Sequence, residues 1–327
     1  MNKCELAREI IAEFPELSKK ELGRLLFEKH PMEFIDAEDG RSLIRRVTDA
    51  VGRRSDKTYI QSDKYKGPLS IKDGQLNDFS HYKVTGKRIG MLYDIHLPYH
   101  DIKALTIALE ELVRQKVDTI ILGGDTMDCF QISSFTKDPT ADSIRLEIEL
   151  VCQFLNDLSK LNIKVIFVFG NHEDRFQNFI MQKAPALYGI QCFELDNLIR
   201  IEYLRIYGVP LEVDFVKDKR VIDLGHLAVI HGHNFGESVF SPVNAARGFN
   251  LRAKANVIGG HQHQTAEHTE SNINGKVIGA WSVGCLCDLH PKYRPINKWN
   301  HGFAWVERFE DNTFEVHNMK IIDGKIR

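Results

Sequence analysis

Residues 87–96 read KRIGMLYDIH, a short apolar run that ends in an acid and an imidazole. The pattern returns at 119–126, 165–173, 227–233 and 256–263, where Gly, Asp, Asn or His follows each apolar run. Apolar runs of about four to eight residues with such boundaries are typical of buried β-strands. The stretch 87–96 therefore predicts the first strand of a sheet whose strand ends carry polar side chains.

The order of elements around this stretch indicates a parallel sheet. Two amphipathic stretches, 102–115 and 143–158, separate the first three apolar runs. Alternation of strands with helices favours parallel neighbours, because a crossover helix joins them. Residues 277–321 alternate apolar and polar side chains and are expected to form antiparallel strands. The predicted fold class is α/β.

The chain before residue 87 has a different character. Residues 1–55 carry apolar side chains at helical spacing in three stretches, and Ser18-Lys-Lys-Glu21 at the start of the second has the form of a capping box. Residues 56–86 lose this periodicity and are rich in Ser, Asp, Gly and Lys, which predicts a linker. We therefore expect a small all-α module at 1–55 and a large α/β domain at 87–327.

Composition excludes several classes of protein. The chain has 327 residues and a formal net charge of -2, so no overall field draws it to nucleic acid or an anionic membrane. It lacks an apolar stretch long enough to span a bilayer, and its six cysteines show no disulfide framework, so a cytoplasmic protein is expected. The number that stands out is 14 histidines, since histidine is a common metal ligand.

Five short motifs follow the predicted strands, at the carboxyl ends where open α/β sheets place their ligands. Each motif taken singly occurs by chance in many chains, but the ordered set is specific. The motifs are Asp94-Ile95-His96, Gly124-Asp125-Thr126-Met127-Asp128, Gly170-Asn171-His172-Glu173, His231-Gly232-His233 and Gly259-Gly260-His261-Gln262-His263.

This ordered set resembles the calcineurin-like metallophosphoesterases, whose pattern is DxH, GDxx(D/N), GNH(D/E), a later His and GHxH. The resemblance implies a four-layer αββα sandwich with two metal ions at one edge. It also implies two ligand sets that share one aspartate. The first set is Asp94, His96, Asp125 and His263, and the second is Asp125, Asn171, His231 and His261.

The residue types fit this chemistry. Two divalent ions close together need a bridging anion, which Asp125 in its Gly-preceded turn is suited to supply. Imidazoles outnumber carboxylates in the set, which suits Mn²⁺, Fe, Zn²⁺ or Ni²⁺ better than Ca²⁺ or Mg²⁺, and Mn²⁺ is the preferred expectation. We expect hydrolysis of a phosphate ester by a hydroxide that bridges the two ions.

Further side chains are assigned to the substrate. By resemblance His172 is the general acid, and Asp128 is expected to orient its imidazole, with a helix N-cap as the alternative for Asp128. Asn171, Arg175 and His233 are expected to contact the substrate, although Arg175 and His233 are equally explained as a surface ion pair and a supporting group. Cys285 and Cys287 are predicted to alternate on a strand as buried free thiols.

The substrate class is inferred from one position at which this chain differs from the protein phosphatases of the superfamily. Protein Ser/Thr phosphatases of the superfamily carry Arg directly after the last Asp of the second motif, where this chain has Cys129. Loss of that guanidinium favours a nucleic-acid or nucleotide phosphodiester, and makes the enzyme nuclease-like. The alternatives are a phosphomonoesterase acting on a phosphoprotein or small molecule, and a DNA-binding regulator with an inactive phosphoesterase scaffold.

Residues 41–66 form a basic stretch, with 8 Lys or Arg against 3 Asp or Glu. A three-helix unit with a basic third helix resembles small helix-turn-helix modules, so a DNA contact through 41–66 is one interpretation and a docking or dimerisation face is the other. Residues 284–293 and 298–303, with this leader, resemble uncharacterised metallophosphoesterases of bacteriophages and mobile elements. The sequence does not determine an oligomeric state.

Overall fold

The structure is a computed structural model, and it describes residues 2–15, 17–50, 79–137, 141–235 and 244–327. The chain divides into two compact units, residues 1–76 and 77–327. No helix within the described ranges is long and apolar enough to cross a membrane.

The first unit contains three helices in its described part, as the sequence predicts. They are α1 (Lys3–Glu13), α2 (Lys19–Lys29) and α3 (Ala37–Ala50). The predicted capping box of α2 is confirmed, because Glu21 N donates to Ser18 Oγ while Ser18 N donates to the Glu21 carboxylate. Asn2 and Glu5 cap α1 in the same way. These caps satisfy amide groups that the first helical turn leaves without partners.

The three helices share an apolar core, to which Leu6, Ile10, Leu26 and Ile44 contribute buried side chains. Helices α2 and α3 cross so closely at Gly23 that a Cβ atom there would collide with the backbone of Arg41. The residues from 51 to 66, which carry much of the predicted basic stretch, lie outside the described residues.

The second unit contains a sheet of seven strands among the described residues, in the order β13-β12-β11-β2-β3-β4-β5. Strands β2, β3 and β4 are parallel, as predicted, β5 continues them in parallel without having been predicted, and β11 to β13 add antiparallel neighbours. The strands are β2 (Arg88–Leu92), β3 (Thr119–Leu122), β4 (Lys164–Val168), β5 (Asp214–Val216), β11 (His301–Arg308), β12 (Phe314–Ile322) and β13 (Lys325–Ile326).

A second sheet has six described strands in the order β1-β6-β7-β8-β10-β9. Its strands β7, β8 and β10 are parallel, while β9 is antiparallel to β10 and β6 is antiparallel to β7. The strands are β1 (Tyr82–Lys83), β6 (Ile222–Asp223), β7 (Ala228–Ile230), β8 (Val257–Gly259), β9 (Ala266–Ser271) and β10 (Val277–Ser282).

The two sheets pack face to face, and helices cover their outer faces. Met91 and Tyr93 point into the core between the sheets, whereas Leu92 packs with the helices on the other face, as the two-residue period of a strand requires. The helices of this unit are α4 (Ile102–Arg114), α5 (Ile144–Ser159), α6 (Asn171–Lys183), α7 (Leu195–Tyr207) and α8 (Ala245–Ala253). The result is the four-layer αββα sandwich that the resemblance implies.

Two predictions about local structure need correction. Tyr82 and Lys83 fall within the predicted linker 56–86, yet they form strand β1, because they pair with β6 and the Tyr82 hydroxyl donates to Asp214; residues 56–78 of the linker lie outside the described residues. Cys285 and Cys287 are free and buried as predicted, but they lie in isolated bridges and not in a regular strand.

Candidate metal centre

The seven predicted ligands lie together at the carboxyl ends of the parallel strands of both sheets. Strands β2, β3 and β4 lead to Asp94, Asp125 and Asn171, while β7 and β8 of the other sheet lead to His231 and His261. The carboxyl ends of parallel strands meet at one edge, so residues far apart in the chain converge there. The sequence predicts this convergence correctly.

The ligand loops have an unusual backbone. Asp94, His96, Asp125, His261 and His263 all have φ between 51° and 68°, in the left-handed region. Such conformations cost free energy, are tolerated best by Asn, Asp and His, and cluster at functional sites. Gly124, with φ 108°, approaches His231 so closely that any side chain there would collide with the imidazole.

Asp94, His96, His263 and Asp125 form the first ligand set. The distance from Asp94 Oδ1 to His263 Nε2 is 3.3 Å, and the distance to His96 Nε2 is 4.0 Å. His96 Nε2 lies 3.3 Å from His263 Nε2 and 4.0 Å from Asp125 Oδ2. Each of these side chains is more than nine-tenths buried, so several ligand atoms face one small volume from which water is largely excluded.

The second set forms around the same aspartate. Asp125 Oδ2 lies 3.3 Å from His231 Nε2, and that nitrogen lies 3.2 Å from Asn171 Oδ1. The ligand atoms of Asp125, His231 and His261 are all within 4.8 Å of one another. Asp125 thus belongs to both sets, as expected for a bridging carboxylate.

In two imidazoles a hydrogen bond from Nδ1, which faces away from the centre, leaves Nε2 as the nitrogen that faces it. His231 Nδ1 donates to the carbonyl of Gly123 at 3.1 Å, and His96 Nδ1 donates to Asp128 Oδ1 at 3.0 Å. The lone pairs of both Nε2 atoms are consequently available on the inner side. Asp94 Oδ1 is buried and accepts no hydrogen bond from any described residue, so it is free to bind a cation. Together, the imidazole nitrogens and carboxylate oxygens of the two ligand sets fit two divalent cations.

The charges of the centre shift the pKa values of its imidazoles. Burial opposes the charged form of His231, but Asp125 outweighs it and raises the pKa of His231 to about 9. His263 behaves alike beside Asp94, with a pKa raised to about 10. Burial and the charge of His231 lower the pKa of His261 to about 4. Cations must therefore displace protons from His231 and His263 to bind near neutral pH.

His172 lies in the first turn of helix α6, and its Nε2 is 3.7 Å from Asp125 Oδ2. The closest partner of His172 Nδ1 is the backbone carbonyl of Asp128 at 2.7 Å, whereas the Asp128 carboxylate is 3.3 Å away. The carboxylate lies closer to His96, at 3.0 Å. Asp128 therefore touches both imidazoles, and its backbone contributes to orienting His172.

Arg175 lies one helical turn after His172, and the prediction that both reach the same edge is confirmed. Its Nη1 donates to the Asp128 carbonyl at 2.8 Å, and its Nη2 donates to His172 Nε2 at 2.9 Å. These two hydrogen bonds of Arg175 go to a carbonyl and an imidazole and not to a carboxylate, so they do not form the surface ion pair of the alternative interpretation.

His233 lies beside the second ligand set. Its ring centroid is 5.2 Å from that of His231 and 6.2 Å from that of His261. Both ring nitrogens are buried without a hydrogen-bond partner among the described residues, although Nε2 is 3.6 Å from Asp174 Oδ2. The side chain thus presents unused donor and acceptor capacity next to the centre.

Sequence reasoning missed two buried glutamates that support the loops. Glu173 accepts hydrogen bonds from the backbone N–H groups of Asp125, Met127 and Gly170 at 2.8–3.0 Å. Burial and the charge of Asp125 raise the pKa of Glu173 to about 7. Glu147 accepts from Cys129 N at 2.7 Å, and burial raises its pKa to about 8. Glu173 sits in a motif, but nothing around Glu147 in the sequence distinguishes it from a surface residue of α5.

One of the two buried thiols lies beside the centre. Cys287 Sγ lies 3.9 Å from His263 Nδ1, and Cys287 forms with His96 and His263 a group capable of holding a metal ion. The first ligand set therefore has a sulfur neighbour in addition to the predicted ligands.

Comparison with known proteins gives relatives from bacteriophages, as the resemblance predicts. The Gene 54 protein of Mycobacterium phage L5 is 29% identical over 233 residues, covering 67% of this chain and 88% of that protein. The Gene 54 protein of Mycobacterium phage D29 is 27% identical over 255 residues, covering 73% and 95%.

Solved structures with a similar arrangement include Vacuolar Protein Sorting 29 from Cryptosporidium parvum, with a TM-score of 0.41 and 14% identity over 74% of this chain and 95% of that one. A dimetal phosphatase from Danio rerio gives a TM-score of 0.36 and 12% identity over 71% and 95%.

The model of the family described as calcineurin-like phosphoesterase matches residues 88–265. This range is more than half of the chain and runs from strand β2 to just beyond His263, so it includes all five motifs of the centre. The chain belongs to the calcineurin-like phosphoesterase family.

Proposed function

We propose that the protein is a phosphoesterase that uses two divalent metal ions, with Mn²⁺ as the preferred pair, to hydrolyse a nucleic-acid or nucleotide phosphodiester. The observation that carries the proposal is the position of Asp125, whose Oδ2 faces His231 Nε2 at 3.3 Å and His96 Nε2 at 4.0 Å. The six cysteines are free, which supports action in a reducing compartment such as the cytoplasm.

Asp94, His96, Asp125 and His263 would hold one ion, and Asp125, Asn171, His231 and His261 the other. When bound, the ions would supply Lewis-acid activation of water and neutralise charge on the phosphoryl group. The protein holds the imidazoles by their outer nitrogens, as at His96 and His231, so the inner ones are aimed before a metal binds.

His172 is the group that would protonate the leaving oxygen. Its Nδ1 donates to the Asp128 carbonyl, and its Nε2, which faces the centre, accepts from Arg175 in the free protein; Nε2 would carry the transferable proton once Arg175 turns to the substrate. Arg175 would turn its guanidinium to a substrate phosphate oxygen, with Asn171 and the unpartnered nitrogens of His233 as further contacts. The acid and its partners thus lie on one side of Asp125.

A diester is preferred over a monoester because the position after Asp128 offers no cation. Cys129 is fully buried there, and its backbone N–H is used by Glu147. A terminal phosphate, with its extra charge, loses the bidentate partner that an arginine would give. The second candidate is a phosphomonoesterase, which would hydrolyse a phosphomonoester faster than a phosphodiester.

The test is hydrolysis of an aryl phosphodiester and an aryl phosphomonoester by purified protein with Mn²⁺, with metal content measured in parallel. We expect the larger kcat/KM for the diester. His172→Asn should lower kcat about 10²- to 10⁴-fold while bound metal is unchanged. Hydrolysis of neither ester by fully loaded protein would refute the enzyme proposal and favour the inactive scaffold, and a preference for the monoester would refute the diester assignment.

For the helical module we propose a DNA contact through 41–66. On the described part of this stretch Arg45 and Arg46 are exposed while Leu43, Ile44 and Val47 are buried, so two adjacent arginines of α3 are available to a phosphate backbone. Replacing Arg45 and Arg46 by Ala should reduce the salt dependence of DNA binding by about two phosphate contacts, measured as log Kd against log salt. An unchanged slope would make the module a docking element.

A further inference from the structure

Aromatic side chains lie near two imidazoles of the metal centre, His172 and His263. On the side of His172, the Phe135 ring is 64% exposed, and its centroid lies 5.8 Å from Cζ of Arg175. Arg175 in turn donates to His172 at 2.9 Å. A single side chain thus separates an exposed aromatic face from the proposed general acid.

Near the second of these imidazoles, the Trp299 ring centroid is 4.1 Å from that of His263. The Tyr293 ring lies next to Trp299, with a centroid distance of 6.3 Å, and Tyr293 is 77% exposed. Covering such rings with a ligand removes apolar surface from water, which favours binding. Rings near two imidazoles of one centre therefore offer stacking surfaces to a ligand that carries more than one flat group.

The positive charge near Phe135 restricts the class of ligand further. Arg175 and Lys137 are cationic, and Lys137 follows Phe135 by two residues with its Nζ held by the Phe130 carbonyl at 2.9 Å. A chain of phosphates with flat bases matches rings interleaved with cations, whereas a phosphopeptide or a sugar phosphate lacks the bases. Bases paired in a duplex are stacked on one another and cannot reach the rings.

We propose that the substrate is single-stranded nucleic acid, and that the bases on either side of the scissile phosphate stack on Phe135 and on Tyr293 with Trp299. The Phe135 subsite takes the nucleoside on the leaving-group side, because it lies beside His172. The inference rests on the proposed hydrolysis of phosphodiesters and adds the features that select the substrate.

The experiment measures kcat/KM for the dinucleotide TpT and for two analogues, each lacking the base on one side of the phosphate. The variants are Phe135→Ala and Tyr293→Ala, with Phe309→Ala as the matched control. Phe309 is 46% exposed and follows β11 at the opposite end of the strands from the metal centre.

We expect Phe135→Ala to lower kcat/KM for TpT about 5- to 150-fold, the range for loss of one base stack, and to change it less than about twofold for the analogue without the leaving-group base. Tyr293→Ala should show the converse pattern, and the control should leave all three substrates unaffected. Equal losses on TpT and both analogues, or no loss on TpT, would overturn the subsites.

Two further measurements keep the inference separate from the proposed activity. The tryptophan fluorescence of Phe135→Trp should be quenched by an oligothymidylate with non-hydrolysable linkages more strongly than that of wild type, which already contains Trp299, and it should not be quenched by the same length of duplex. Quenching without hydrolysis by wild type would leave the subsites standing and refute the proposed activity. Hydrolysis without quenching, or faster cleavage of duplex than of single strands, would refute the subsites.

Discussion

Replacing Glu173 by Ala should both destabilise the large unit and disorder its metal centre. The Glu173 carboxylate is fully buried and accepts three backbone hydrogen bonds, from Asp125, Met127 and Gly170, so it joins the second and third motif loops. A buried N–H left without an acceptor costs ~1–3 kcal/mol, so the variant should lose about 3 kcal/mol or more of unfolding free energy.

Glu147→Ala is the matched control, because Glu147 is also a buried glutamate but accepts one backbone hydrogen bond among the described residues, from Cys129. Its loss should be ~1–3 kcal/mol. Urea unfolding at pH 8 after chelation measures both free energies, and a metal titration of the refolded proteins measures affinity. If Glu173→Ala does not fold, Glu173→Gln, which keeps one acceptor oxygen, should give an intermediate loss. Equal losses for the two alanine variants with unchanged metal affinity would refute the reasoning.

Three other outcomes are expected. Asp128→Ala should weaken metal binding about 10- to 100-fold by calorimetric titration, because His96 loses the acceptor that orients it; unchanged affinity would exclude this role. The pKa of Glu147 is raised to about 8, so ionisation of this carboxyl should lower the stability of the wild type as pH rises from about 4.5 through 8. Thermal unfolding should show that Glu147→Gln lacks this contribution to the loss of stability. Melting temperatures of the two proteins that fall in parallel with pH would contradict it. Gly23→Ala should unfold the helical module by circular dichroism, because its Cβ would meet the Arg41 backbone, and a fully helical variant would show that the crossing can relax.

The strands and ligand loops were predictable because each local signal agrees with the fold. The run before Asp94 predicts a buried strand, and a parallel sheet brings the motif residues that follow each strand to one edge. Capping at Ser18 was equally local and was found. These features depend on a few residues that are neighbours in the chain, so a single sequence is enough to predict them.

What the sequence did not reveal depends on contacts between distant segments. Strand β1 exists because Tyr82 reaches β6 and Asp214, and its own two residues carry no strand pattern. Glu147 is buried by the loop that follows Asp128, and Cys287 meets His263 only through folding of the segment before β11. A pattern of apolar and polar residues contains no signal for such pairings.

The most direct test of the central claim is the metal content of wild type and Asp125→Asn, measured by mass spectrometry and by anomalous scattering from crystals grown with Mn²⁺. We predict two ions in wild type, one beside His96 and one beside His231, and loss of both or severe weakening in Asp125→Asn, because its Oδ2 faces both groups. A single ion in wild type, or two ions that the substitution leaves unchanged, would contradict the assignment of Asp125 as the shared ligand.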